Sequence, residues 1–383
     1  MKRRFFLQGM STLTLSSVVA GCRDVPWHVS TALRVEVLKG SVPVQMVSKF
    51  RQQVEQDGVD FVPQPQLNNL FRVLQKSKSP SSPQSSSQAD LVMIGDFWLN
   101  SAIQQQLIQP LDPKLWPQWS QLPPRWQNIV RRNSEGKFDS KGKIWGAPYR
   151  SGSTVIIYRV DKFKALGWTP QDWSDLWRQE LRHRISLPNQ AREVIGLTLK
   201  KLGYSYNTAD LSQVKNLESE LLKLHQNVRL YDSNSYLKPL ILGDTWLAVG
   251  WSTDISPEVQ YQNGLAAVVP KSGTALWLDL WVKPAKVQAS PTVETLHATS
   301  LLADQWIDFC WSPQVATQLS LLTATTSPII LGMNPEELPQ SLRENPLLLP
   351  QSSILEKSDF LQPLSQNSIK QYQQLWEKIR LGT

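Results

Sequence analysis

Two carboxylates are the residues best placed by type and spacing to do chemistry. Asp279 lies in the run Trp277-Leu278-Asp279-Leu280-Trp281, where an acid on a strand among large apolar side chains needs a partner. Glu193 lies in Ala191-Arg192-Glu193, at the start of a helical stretch, where a negative charge also suits the helix N-terminus. Such a pair serves either proton transfer between an acid and a base or the capture of an ammonium group. The motifs of other chemistries are missing: the sequence contains no GxSxG, HExxH, CxxC or dinucleotide-type glycine pattern. His28, His183, His225 and His297 have no metal-ligand spacing. An enzyme, a metal and a cofactor are therefore not expected. Of the two cysteines, Cys310 falls in the apolar helical pattern Trp306, Ile307, Phe309, Cys310 and reads as a buried, inert thiol.

Cys22 reads differently. Met1-Lys2-Arg3-Arg4 precedes the weakly apolar stretch from Met10 to Ala20, and small residues follow, which is the layout of an export signal. Arg3-Arg4-Phe5-Phe6-Leu7 resembles a twin-arginine signal, and Val19-Ala20-Gly21-Cys22 resembles a lipobox, with Cys22 the acylated residue. An acyl chain gains about 0.8 kcal/mol per buried CH₂ and would tether a soluble domain to a membrane. Residues 1–22 are thus expected to be the signal and 23–32 a tether, giving a periplasmic, lipid-anchored protein.

The elements that must position Asp279 and Glu193 alternate between strand and helix. Leu33–Leu38, 89–94, 245–251 and 275–282 read as strands, and 143–158 as strand, turn and strand. Helices are expected at 44–54, at 67–75, at 191–202 ending on Gly203, along Leu211, Val214, Leu217, Leu221 and Leu224, and at 292–310, 313–322 and 366–380. Lys76 to Gln88, rich in Ser, Pro and Gln, is a loop without core-forming residues. Trp173 and Trp177 read as packing residues. This order predicts an α/β fold with largely parallel sheets. At 383 residues the chain suits two domains, and without the three leader cations 37 basic residues face 32 acidic ones, a net +5. That excess does not mark a nucleic-acid binder.

Several ordered segments resemble the spermidine/putrescine-binding family of periplasmic proteins. They are Gly142-Lys143-Ile144-Trp145-Gly146-Ala147-Pro148-Tyr149, Trp173-Ser174-Asp175-Leu176-Trp177, Ala191 to Gly196 with Leu199 to Ser205, Val249-Gly250-Trp251-Ser252, and Pro270 to Gly273 running to Trp277-Leu278-Asp279. Glu337-Leu338-Pro339 and Arg343-Glu344-Asn345-Pro346 resemble the family's tail. The resemblance implies a two-lobed periplasmic-binding-protein fold with hinge crossover strands. Lobe 1 would comprise 33–153 plus 278–323, and lobe 2 would comprise 154–277 plus 324–383. Ligand would be trapped between them by hinge closure.

The resemblance also implies a site. Trp251 and Trp277 would stack on the ligand, Asp279 and Glu193 would hold its amines, and Phe97 and Trp98 would supply an aromatic pair from the first lobe. Aromatic faces attract cations by about 0.5–2 kcal/mol each. The sequence departs from the family at three places. Leu38-Lys39-Gly40-Ser41 stands where an aromatic and an acidic residue are common, Gln190 stands where an acid often precedes Ala-Arg-Glu, and Ala324-Thr325-Thr326 occupies the place of a tyrosine. The expected function is capture of a small amine such as spermidine or putrescine for an ABC permease, by a monomer. The alternative is the same clamp on a different zwitterionic or anionic solute, with Lys39 supplying the anion contact.

Overall fold

The computed structural model describes residues 33–55, 58–78, 89–285 and 293–381, with side chains of 293–298 left aside. The signal, the tether, Cys22 and most of the Ser/Pro/Gln segment lie outside the described residues.

The β-rich Leu33–Leu38 pairs in parallel with Val59–Gln64 on one side and Leu91–Gly95 on the other. The helices Val44–Val54 and Leu67–Ser77 connect these strands and bury Met46, Phe50, Leu70, Phe71 and Leu74. Ala275–Pro284 pairs antiparallel with Leu91–Gly95 and continues the sheet to Ala147–Arg159. This last strand runs for 13 residues. Its first half pairs with Ala275–Pro284 through Ser153↔Leu276. Its second half pairs with Leu247–Trp251 from Thr154 onward, and with Leu265–Val268 from Ile156 onward. Beyond Leu247–Trp251 come Ile185–Leu187 and Val228–Tyr231, both parallel. The strands expected within 143–158 are broken only at Trp145-Gly146, and Ser151-Gly152-Ser153 is strand.

Hydrophobic side chains collect into separate cores on the two halves of this strand. The first includes Leu33, Val35, Phe50, Met93, Ile94, Tyr149, Leu280, Trp281 and Trp306. Its aromatic rings interlock: Phe50 meets Trp306 edge-on at 5.1 Å, and Tyr149 lies 4.7 Å from Trp281. Such pairs contribute about 0.5–1.5 kcal/mol beyond the area they bury. The second includes Ile156, Phe163, Trp173, Leu187, Ile195, Leu221, Leu224 and Val249. Trp173 is fully buried there and its indole donates to the Gly273 carbonyl at 2.8 Å, so it packs as expected, but on a 3₁₀ turn rather than an α-helix.

Two expectations need correction. The helix drawn through Leu211 to Leu224 begins only at Leu217, because Asn216 adopts a left-handed backbone that separates it from a 3₁₀ turn at Leu211–Gln213. The segment after Thr323 does not pass directly to the second lobe: Ile329, Ile330, Leu338, Leu342 and Leu348 all pack into the first core. The chain joins the second core only with Leu361, Leu364, Tyr372 and Ile379. Short 3₁₀ turns and prolines, rather than a long periodic helix, carry this stretch, so its pattern carried no mark of the core it would join.

Cys310 is a buried free thiol, and burial pushes its ionisation well above the usual range. Among the described residues no helix is long and apolar enough to cross a membrane, and no cluster of His, Cys, Asp or Glu suits a metal.

Candidate functional site

Strand geometry decides which residues meet. Side chains alternate across a strand, and residues directly opposite on a neighbour share a face. Along the long strand Arg150, Gly152 and Thr154 therefore point to one side. The register places Asp279 opposite Arg150, Trp277 opposite Gly152 and Trp251 opposite Thr154. The point where the chain passes between cores thus gathers two tryptophans, a carboxylate and a guanidinium on one face.

Gly152 is what allows Trp277 to lie there. A Cβ at this position would run into the Trp277 ring and the Ser252 hydroxyl. The same hydroxyl accepts the Ser153 amide at 3.1 Å, tying the first turn of helix Ser252–Tyr261 to the long strand. Trp277 is only partly buried as a residue, yet its indole nitrogen is buried without a partner among the described residues.

Asp279 is 3% exposed and its carboxylate accepts from Arg150 Nε at 2.8 Å. Burial raises its pKa, and Arg150 opposes that rise. The Arg150 guanidinium also stands 5.9 Å from the centre of the Trp277 ring.

Glu193 is delivered by helix Ala191–Lys201, in its first turn, where the helix dipole favours a negative charge. It is 4% exposed and accepts the Thr154 hydroxyl at 3.0 Å. Burial raises its pKa, while Thr154, Arg192 and the Trp251 side chain act against that rise. Below Trp251 runs a relay. Its backbone amide donates to the Tyr236 hydroxyl at 3.2 Å, and that hydroxyl donates to Asp254 at 3.0 Å. Asp254 is raised by burial and lowered by Tyr236 and Arg150.

The first lobe adds Asp96, which follows the buried strand Leu91–Gly95 and accepts the Leu278 amide at 3.3 Å. Desolvation lifts its carboxyl to about 7, with repulsion from Asp279 contributing and Arg132 opposing. Next to it Phe97 is half exposed, and Trp98 stacks on Phe71 at 4.2 Å and lies 5.2 Å from Phe97.

The fold therefore unites Trp251, Trp277, Asp279 and Glu193 on one face, with the Asp96-Phe97-Trp98 turn attached through Leu278. The remaining sequence candidates are placed differently. Ser41 is buried; its hydroxyl donates to the Leu38 carbonyl at 2.6 Å, and its own carbonyl accepts the Tyr149 hydroxyl. Lys39 is exposed in that turn, and Gln190 is exposed at the N-cap of helix Ala191–Lys201. Among the described residues neither side chain bonds to the cluster.

Arg150, Thr154, Tyr236 and Asp254 were not singled out by sequence. Only the register shows Arg150 facing Asp279. A groove of about 660 Å³ lies elsewhere, between helices Leu217–Asn227 and Gln366–Leu381, bordered by the Lys378–Glu218 ion pair at 2.7 Å.

A long strand shared by two separately cored α/β halves, with polar and aromatic groups where it crosses, defines the two-lobed periplasmic-binding-protein class. The chain belongs to the family of bacterial extracellular solute-binding proteins, whose family model matches residues 86–358. Members of this family bind solutes rather than transform them. The chain is 25% identical over 291 residues to spermidine/putrescine-binding periplasmic protein 1 of Haemophilus influenzae, covering 76% of this chain and 74% of that protein. It is 25% identical over 293 residues to the spermidine/putrescine-binding periplasmic protein of Salmonella typhimurium, covering 76% and 78%. Its fold is similar to that of the spermidine/putrescine ABC transporter substrate-binding protein PotD from Streptococcus pneumoniae. That likeness has a TM-score of 0.76 at 20% identity, over 91% of this chain and 98% of the other.

Proposed function

We propose that this protein captures a small amine-bearing solute between its lobes, at the crossover face, and delivers it to an ABC importer. The observation that carries this reading is the meeting of Glu193, Asp279, Asp254 and Asp96 with Trp251 and Trp277 around one strand crossing. Buried carboxylates are stable as ions only with a cationic or hydrogen-bonding partner. Burial raises the pKa of Glu193, so its carboxylate stands to gain from an ammonium beside it. The indole faces supply the surface along which methylenes and cations pack. The relatives' names, spermidine/putrescine-binding, lend support to a di- or polyamine within that class.

Closure of the lobes traps the solute because the amine meets both lobes only in the closed state; differential affinity is what shifts such an equilibrium. In this reading the protein acts in the periplasm as a monomer, held to the membrane by acylated Cys22 and pairing with an inner-membrane permease. Support for the anchor is the sequence of the leader alone.

Thermal-shift and calorimetric titration with spermidine, spermine, putrescine and a panel of amino acids tests the ligand class. A saturable one-to-one response to an amine supports the reading. Silence toward every amine, with a response to an amine-free anion, would discard it. Mass spectrometry of the mature N-terminus tests the anchor: an unmodified Cys22 would remove it.

A further inference from the structure

The reading of an amine site leaves Arg150 without a role. Its guanidinium stands against the carboxylate that the family resemblance assigns to a ligand amine. The Arg150 and Asp279 side chains are 9% and 5% exposed, so this is a buried pair and not a surface contact.

We infer that Arg150 sets specificity: its guanidinium takes the place of one ligand ammonium on Asp279, so that the site accepts a solute with one ammonium end and one carboxylate or carbonyl end in preference to a diamine. This rests on the amine reading and narrows it.

Three observations converge. First, the pair uses only Nε of Arg150, and the two terminal nitrogens have no hydrogen-bond partner among the described residues. A guanidinium presents a planar fork of donors suited to a carboxylate, and the terminal nitrogens of this one are left for an acceptor to fill. Second, the neighbouring Trp277 indole nitrogen is also a buried donor without a partner among the described residues. This end therefore offers donors without partners. Third, Glu193, at the other end, is bonded to the Thr154 hydroxyl and has no cation in hydrogen-bond contact, as is also true of Asp96 and Asp254. Arg150 and Thr154 are four residues apart on one strand, about 13 Å between Cα atoms at roughly 3.3 Å per residue. The face thus offers unpartnered donors beside the neutral Arg150–Asp279 pair and an unpaired carboxylate at Glu193, the two contacts that an ω-amino acid makes.

A diamine meets this face poorly. Its second ammonium would approach Asp279 only by displacing Arg150 or by sitting beside a like charge in a desolvated setting, and either is unfavourable. Lys39, the anion contact considered from sequence, is exposed and makes no bond to this cluster among the described residues.

The test is calorimetric titration of the purified full chain with two matched series. One comprises unbranched α,ω-diamines of three to six carbons, and the other the ω-amino acids of the same lengths. Wild-type protein is expected to bind an ω-amino acid at least tenfold more tightly than the diamine of equal length. R150Q is expected to reverse that order. If R150Q folds poorly because Asp279 loses its partner, R150Q/D279N removes both charges together and is expected to abolish the preference for the carboxylate end. A wild-type protein that binds a diamine more tightly than the matched ω-amino acid, with the order unchanged in R150Q, would overturn the role of Arg150 and leave the amine reading standing. No binding of either series by wild-type protein would overturn both.

Discussion

The hydroxyl of Thr154 donates to the carboxylate of Glu193 at 3.0 Å, linking the first residue past the strand crossing to the first turn of a second-lobe helix. Both groups are buried, and Trp251 stands opposite Thr154 on the neighbouring strand. This hydrogen bond, together with one from the Trp251 side chain, holds the acid beside an indole at the strand crossing, where a ligand would contact it as the lobes close.

Glu193→Gln keeps the shape and removes the charge. A hydrogen bond to a charged group contributes about 1.5–3 kcal/mol. The expected loss in affinity for an amine is therefore roughly 10- to 100-fold, read by calorimetry with the thermal midpoint little changed. The pH dependence has a definite sign. Burial raises the pKa of Glu193, so as pH falls the carboxylate is protonated earlier than an exposed one, and amine binding weakens in mildly acid buffer. Glu193→Gln should flatten that part of the profile.

The Arg150–Asp279 pair makes the usual alanine substitution ambiguous. Asp279→Ala strands a buried guanidinium, and breaking a buried pair from one side costs about 3–5 kcal/mol. The thermal midpoint should fall sharply in Asp279→Ala and Arg150→Ala alike. Replacing both together with Arg150→Met and Asp279→Leu should recover most of the loss. A double variant no more stable than either single one would show that the pair is not a coupled unit.

Gly152→Ala introduces a Cβ into the Trp277 ring and the Ser252 hydroxyl. Overpacking of this kind costs about 1–3 kcal/mol. The change should lower the thermal midpoint, shift tryptophan emission as Trp277 is displaced, and weaken ligand binding. Binding and emission indistinguishable from wild type would mean that Trp277 does not need its seat over Gly152.

Asp96 gives the ligand-free protein a pH signature. Its folded ionisation, near 7, lies above the unfolded value of 3.8. Its contribution to stability is fully present below the unfolded value and is lost as pH rises through 7. The thermal midpoint should therefore drop between pH 5 and pH 8. Asp96→Asn, which keeps an oxygen for the Leu278 amide, should raise the midpoint most at pH 8, less at pH 5, and hardly at all below the unfolded value of 3.8. After allowance for solvent at its partly open edge, the effect is about 1–3 kcal/mol.

Much of this molecule was legible in the sequence because its signals are local. Alternation marked Leu33–Leu38 and Ala275–Pro284 as strands, and an acid between Trp277 and Trp281 announced itself by its surroundings. What was illegible depends on pairing. Arg150 is one arginine in a polar stretch until the register sets it opposite Asp279. Asp254 gains meaning only through Tyr236, which is 18 residues away. Residues 328–348 have no periodicity that names their partner, and only packing assigns Ile329, Ile330 and Leu342 to the first core. Lys39 and Gln190 were attractive because of what the family has at those positions, yet their side chains are exposed and make no bond to the cluster among the described residues.

The most direct test is a crystal structure of the protein with the amine that titration selects. The ammonium nitrogen is expected within about 3 Å of the Glu193 carboxylate, with the Trp251 and Trp277 rings along the ligand's carbon chain. A well-ordered amine bound elsewhere, such as the groove between Leu217–Asn227 and Gln366–Leu381, with the crossover face empty in a closed protein, would contradict it.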